Sequence, residues 1–173
     1  MFYDYVLYAK YIGFLIDITK NFSVLIFSYL CKLKKTEVEK LYSSKAPEPV
    51  GAYPHARKVG NLLFLSGIGP RERGAKKIPG VTLDENGNIT SYDIEAQCHS
   101  VFANVKTVLE EAGSGWDKMV DVTVFLTNMK ADFATYNRIY AEYFKENQPC
   151  RTTVEIKSLP TPIAIELKVI ATI

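Results

Sequence analysis

Residues 94–126, IEAQCHSVFANVKTVLEEAGSGWDKMVDVTVFL, change their hydrophobic period halfway along. In the first half Ile94, Cys98, Val101, Phe102, Val105, Val108, Leu109 and Ala112 recur every three or four residues. That spacing predicts an amphipathic helix of about five turns. Thr90 and Asp93 have capping-box spacing at its start. Gly113 is set to end it, because glycine enters the left-handed region at little cost. In the second half, Met119 to Leu126 is dense in β-branched residues and reads as an interior strand.

Working outward, Asn61-Leu-Leu-Phe-Leu-Ser66 reads as a strand running into the turn Gly67-Ile-Gly-Pro70, and a polar loop follows from Arg71 to Gly80. Asp84-Glu-Asn-Gly87 is a hairpin signal. Downstream, a second helix is expected over about 131–145, with Phe133, Asn137, Tyr140 and Phe144 on one stripe. Strands are expected at Arg151–Ile156 and Ile163–Ala171, parted by Leu159-Pro-Thr-Pro162. The last strand alternates, with Ile163, Ile165, Leu167 and Val169 facing one way and Ala164, Glu166, Lys168 and Ile170 the other. This order implies an α+β domain whose sheet carries two helices on one face. A sheet this apolar, with two helices to cover it, predicts burial of its other face against further subunits.

The 173 residues suit one domain with a real core. Of 21 basic and 19 acidic residues, five and three lie in residues 1–37, which leaves 16 of each sign beyond. A neutral domain has no global field for nucleic acid, so no nucleic-acid partner is expected. Cys31, Cys98 and Cys150 match neither a disulfide framework nor a metal-ligand spacing, which points to a reducing, cytoplasmic setting. His55 and His99, far apart, argue against a zinc site, and no metal or other cofactor is expected. Gly67-Ile-Gly69 lacks the spacing of a phosphate loop, and Ser66 has no evident His/Asp partners.

Residues 1–37 form a separate, apolar extension, ahead of a domain over 38–173. Its uncharged stretches, Tyr11–Ile16 and Asn21–Cys31, fall short of the roughly 18–20 residues that cross a bilayer. Asp17 and Lys20 interrupt any continuous span. No small-residue cleavage motif marks a signal peptide. A membrane-associating segment, a docking helix and a misassigned start remain open, and membrane association follows only from the first.

Five features can carry chemistry. Arg151 opens a strand after Pro149-Cys150 and shares side-chain parity with Thr153 and Glu155. Its planar fork suits a carboxylate, and a structural salt bridge to Glu155 is the even alternative. Glu166, inside an apolar strand, must be paired, exposed or raised in pKa; a raised pKa suits proton exchange with water, but on the residues alone a structural partnership with an arginine or a neighbouring strand residue is the favoured role. Asn137, read as lying on an apolar stripe, needs hydrogen-bond partners. Bracing a loop backbone is the favoured role there, ahead of substrate contact. Tyr53, in Gly51-Ala-Tyr-Pro-His-Ala-Arg57, can wall a pocket. Arg57, His55, Arg71 and Arg73 add positive or proton-exchanging groups, although solvated surface charge is the commoner reading of each.

Gly51-Ala-Tyr53, Leu65-Ser-Gly67, Val122-Thr-Val-Phe-Leu126, Asp132-Phe-Ala-Thr-Tyr-Asn137, Arg151-Thr-Thr-Val-Glu155, Leu159-Pro160 and Ile165-Glu166 together resemble the reactive-intermediate deaminase (Rid) family of enamine/imine hydrolases. The resemblance runs from about Leu41 to Ile173. Gly51-Ala-Tyr-Pro-His-Ala-Arg57, the Arg71–Gly80 loop and Met129-Lys-Ala-Asp-Phe133 look most like the 2-aminomuconate deaminases, which release ammonia from an aminated dicarboxylate. It implies a chorismate-mutase-like, mixed and mainly antiparallel sheet, a homotrimer with clefts between subunits, and no cofactor. Carried over by position, Arg151 would grip a substrate carboxylate and Glu166 would position water. Tyr53 would line the pocket, and Asn137 would match a helix asparagine. Thr153 stands where many members carry cysteine, which removes any thiol role and leaves its backbone to work. Arg57, Arg71 or Arg73 would bind a second carboxylate.

Overall fold

The computed structural model describes residues 37–75 and 77–173; the expectations for residues 1–36 lie outside the described residues. In chain order, β1 (Val38–Leu41), β2 (Ala56–Val59) and β3 (Leu62–Leu65) precede a hairpin of β4 (Val81–Leu83) and β5 (Ile89–Tyr92). Helix α1 (Ile94–Glu111) follows, then β6 (Met119–Leu126), helix α2 (Met129–Tyr143), β7 (Cys150–Glu155) and β8 (Ile165–Thr172). The main sheet runs β1-β2-β3-β8-β6-β7, and β4-β5 is a separate two-stranded sheet. Within the main sheet every pairing is antiparallel except β6 with β7, which α2 joins as a crossover. The expected α+β class, two helices packed on a mixed and mainly antiparallel sheet, is what forms.

Local chemistry sets the element ends. Asp93 itself caps α1, its Oδ1 accepting from the N–H of Glu95 (2.9 Å) and Ala96 (3.3 Å). Thr90 belongs to β5 instead, its hydroxyl donating to the Thr82 carbonyl at 3.1 Å. At the other end Gly113 takes φ +77°, so that its N–H reaches Glu110 O (3.1 Å) and Ser114 N–H reaches Leu109 O (2.9 Å). In the hairpin turn the Asp84 carboxylate accepts from the backbone N–H of Asn86 and Asn88 and from the Asn88 amide.

The expected stripe of α2 holds at Tyr140 and Phe144, which are buried, and fails in its first half. Asp132, Tyr136, Ile139 and Tyr140 are buried, whereas Phe133 and Asn137 are exposed. Asp132 turns inward because the Tyr92 hydroxyl donates to its Oδ2 at 2.8 Å. A carboxylate with a built-in donor can be buried where a lone one cannot.

Strand alternation divides the sheet cleanly. Leu63, Leu65, Val122, Val124, Leu126, Ile165, Leu167, Val169 and Ala171 are buried and pack with α1 and α2 into one core. Cross-strand partners share a face. The Phe125–Glu166 and Phe64–Ile170 pairs therefore lie on the opposite, open face with Val154. Phe64, Phe125 and Ile170 are half-buried there and Val154 is exposed.

Candidate active site

On the open face, Glu166 of β8 lies at the floor of a cleft of about 540 Å³. Tyr53, Arg57, Arg71, Phe64 and Lys168 share its walls. The closeness of β8 to the segment after β3 explains Gly67: a Cβ there would collide with the Glu166 carboxylate. Paired hydrogen bonds between Ile68 and Leu167, at 2.8 and 2.9 Å, lock the two backbones in that register. Burial pushes the Glu166 carboxyl above its ordinary value, and the Arg71 guanidinium pulls it part of the way back.

Tyr53 reaches the cleft from a loop that His55 braces. His55 is buried, its Nδ1 accepting from Ser43 N–H (3.0 Å) while Nε2 donates to Pro47 O (2.9 Å). Both ring nitrogens are engaged, so His55 is an internal brace. Ser66 ties the other side, its N–H donating to His55 O (2.9 Å) and its hydroxyl to Pro54 O (2.6 Å). The Tyr53 hydroxyl accepts from Val50 N–H at 3.3 Å, which ties the ring to its own loop in the cleft wall.

Of the three candidate arginines, Arg57 and Arg71 line the cleft and Arg73 does not. Arg73 is tied back, donating to Ala46 O at 2.8 Å and pairing with Glu48 at 2.9 Å. Lys168, two residues beyond Glu166 on the same face, joins the cleft instead; its parity with Glu166 was the available signal.

Arg151 is on the other face. It pairs in register with Val122, and Val122 with Val169, both buried on the helix side. Its guanidinium lies over the Tyr140 ring, 4.6 Å from Cζ to centroid, and 5.6 Å from the Tyr136 ring. Nη1 donates to Asn137 Oδ1 at 2.9 Å. Asn137 thus orients the arginine and not, as its position on the helix suggests, a loop backbone. Glu155 is engaged elsewhere, its Oε2 accepting the Met129 N–H at 2.6 Å at the start of α2. Among the described residues Arg151 makes no salt bridge, so the edge of its fork stays open toward solvent. Beneath it the hydroxyls of Tyr136, Tyr140 and Thr153 are buried without a hydrogen-bond partner. Burial pushes the Tyr140 phenol up to about 12, against the pull of the Arg151 charge.

The chain therefore presents two separate clusters. The first is a cationic cleft around a carboxyl with raised proton affinity. The second is an aromatic-braced guanidinium beside Thr153. The sequence did not reveal Tyr136 and Tyr140 as the shelf for Arg151, nor Ser100 and Asn104, which anchor the loop before Arg71. Among the described residues no group of three His, Cys, Asp or Glu side chains could hold a metal ion. No described helix is long and apolar enough to cross a membrane.

The family model described as Endoribonuclease L-PSP matches residues 43–173. A RutC family protein of Pyrococcus abyssi is 40% identical over 133 residues, covering 77% of this chain and 95% of that one. Reactive Intermediate Deaminase A, chloroplastic, of Arabidopsis thaliana is 36% identical over 135 residues, covering 78% of this chain and 66% of its own. Among solved structures, yeast Mmf1 superposes with a TM-score of 0.68 at 32% identity, over 79% of this chain and 98% of that one.

Proposed function

The chain belongs to the Endoribonuclease L-PSP family, which includes RutC proteins and reactive-intermediate deaminases, and on that premise we propose that it hydrolyses enamine or imine carboxylates to 2-oxo acids and ammonia. The carrying observation is Glu166, a half-buried carboxyl with raised proton affinity in a cleft lined by cations. Arg151 supports it, as a pre-oriented fork with free donors for a carboxylate. Because the two project from opposite faces of one chain, the reading requires sites between copies, the Arg151 edge of one meeting the Glu166 cleft of the next. That is the trimeric arrangement implied by the resemblance, and the apolar open face supplies surface for it.

In this reading an enamine first becomes the imine by moving a proton from nitrogen to its β-carbon, and Arg151 holds the carboxylate beside the resulting C=N carbon, turning an encounter into an oriented complex. Water adds to that carbon as Glu166 takes one of its protons and passes it to nitrogen, giving a carbinolamine. The carbinolamine hydroxyl then gives up its proton, again through Glu166, as the C–N bond breaks and ammonia leaves. Both protons of water end on nitrogen and its oxygen ends as the new carbonyl, so no oxidant or covalent enzyme intermediate is required.

The general substrate class is a small imine or enamine acid, such as 2-aminoacrylate or 2-iminopropanoate. A second reading, 2-aminomuconate, is favoured by one observation: Arg57, Arg71 and Lys168 line the cleft that holds Glu166. Three cations there suit a second carboxylate at the far end of a longer acid. Free Cys98 and Cys150 fit a reducing, cytoplasmic setting.

Steady-state ammonia and carbonyl release from both substrate types by the wild type, Arg151→Ala and Glu166→Gln proteins tests the reading. Turnover lost in both variants supports it. Saturable binding without ammonia would make the protein a binding module, and RNA cleavage that survives both substitutions would make it a nuclease. A clear preference for the small acids would end the 2-aminomuconate reading.

A further inference from the structure

Three consecutive carbonyls at the cleft rim, those of Gly69, Pro70 and Arg71, are each held by a side chain of α1. The Asn104 amide donates to Gly69 O at 2.9 Å and to Arg71 O at 2.7 Å, and the Ser100 hydroxyl donates to Pro70 O at 2.7 Å. Ser100 and Asn104 are one helical turn apart, so both reach from the same side of α1. The Asn104 amide spends both its protons on this loop. Pro70, at the centre, already has its φ fixed. A short loop pinned at every carbonyl to a rigid helix cannot drift.

The consequence falls on Arg71. Its Nη2 donates to Glu48 O at 2.7 Å, and its side chain forms part of the cleft wall with Glu166. The charged and titratable groups that share the cleft with Glu166 are Arg57 from β2, Lys168 from its own strand, Tyr53 from the segment before β2, and Arg71. Its cross-strand neighbour Phe125 is apolar, and Gly67 has no side chain. Among these groups, Arg71 is the one whose charge opposes the effect of burial on the carboxyl.

We propose, within the hydrolase reading, that Ser100 and Asn104 are positioning residues: by fixing the Gly69–Arg71 backbone they hold the Arg71 side chain in the wall of the cleft that Glu166 also lines, so that guanidinium and carboxyl act there as an electrostatic couple. Burial of a carboxyl without such a partner favours its protonated form, which is the poorer acceptor for a proton from water. One pinned beside a guanidinium is poised to accept and return it. The arginine thereby acts through the acid, and the cations left for a second substrate carboxylate are Arg57 and Lys168.

The test follows the Glu166 titration directly, by ¹³C NMR of side-chain carboxyls in the full-length protein, with Glu166→Gln to assign the signal. Arg71→Met should raise the Glu166 midpoint by about one pH unit, and Arg71→Lys should keep it near the wild-type value. Asn104→Ala should shift it the same way by less, and that shift should vanish in the Arg71→Met background, because the asparagine acts through the arginine. The acidic limb of the kcat/KM profile should move with the midpoint. Ser100→Ala, which removes one bond, carries the comparison should Asn104→Ala not fold. A midpoint unmoved by Arg71→Met overturns the proposal, and so does an Asn104→Ala shift that persists without Arg71. If the titration moves as expected while no imine acid is hydrolysed, the hydrolase reading falls and the couple stands.

Discussion

Arg151 and Glu166 project from opposite faces of the same sheet. The register carries Arg151 through Val122 of β6 to Val169 of β8, an odd number of positions from Glu166, and an odd offset reverses the face. Bending side chains around the edge does not reconcile them. Arg151 is held by Tyr140 and Asn137 on the helix side, and Glu166 is held against Gly67 on the open side.

Subunit mixing tests what this separation implies. Arg151→Ala and Glu166→Gln proteins should each be inactive alone. Unfolded together, mixed equally and refolded, they should recover about a quarter of the wild-type rate, since random assembly pairs an intact arginine edge with an intact acid cleft at that frequency. Sites confined to single chains would recover nothing.

The Asn137–Arg151 bond should be visible in binding more than in turnover. Asn137→Ala leaves the guanidinium on its aromatic shelf and removes its orienting acceptor. KM should rise about threefold to tenfold with kcat nearly unchanged, in line with losing one charge-assisted hydrogen bond's worth of order. Arg151→Lys should be far worse, because an ammonium cannot present two parallel donors. Steady-state kinetics on a small imine acid reads both.

How much of this was legible depends on the range of the interactions. β6 was read to the residue, since Val122, Val124 and Leu126 face a continuous core and need no distant partner to declare themselves. β1 and β2 were missed because Val-Glu-Lys-Leu and Ala-Arg-Lys-Val are short, charged edge segments with no clear alternation. The stripe of α2 is legible at Tyr140 and Phe144 but not in its first half, because Asp132 looks like a surface residue until Tyr92, 40 positions away, supplies its donor. Of the candidate site, Glu166 stands out as a carboxylate in an apolar strand, but that pattern alone favours a structural partner and only the family resemblance points to a chemical role. The division of the arginines does not stand out, because Glu48 and Ala46, which hold Arg73, carry no pattern at all.

The Tyr92–Asp132 pair makes a stability prediction with a definite sign. Burial raises the Asp132 carboxyl, and the Tyr92 hydrogen bond pulls it partly back. The folded state therefore holds this proton more tightly than the unfolded chain, and stability falls as pH rises from about 3.8 through the folded value. Asp132→Asn should raise Tm at neutral pH, with the gain fading below pH 4, roughly the unfolded carboxyl value. Tyr92→Phe should destabilise by about 1–3 kcal/mol at neutral pH, because it leaves a buried carboxylate without a donor. Tyr92 itself is pushed up to about 12 by burial and by Asp132, so the wild type should lose further stability as pH rises from 10 toward 12. Thermal melts across pH on the three proteins decide the signs.

Gly67→Ala isolates geometry from charge. The residue lies just after β3, beside the Ile68–Leu167 bridge, and its φ is not in the left-handed region, so alanine brings no backbone strain. What it brings is a methyl group where the Glu166 carboxylate sits. The glutamate side chain is flexible and should swing aside, leaving the fold intact and Tm within a few degrees of the wild type. A displacement of about 1 Å at a proton-transferring group costs on the order of a hundredfold in rate, so kcat should fall by that much while the arginine-dependent part of binding survives. The double variant Gly67→Ala/Glu166→Gln should then be no slower than Glu166→Gln alone. Turnover in the double variant well below that of Glu166→Gln would mean the glycine serves the substrate directly and not the acid.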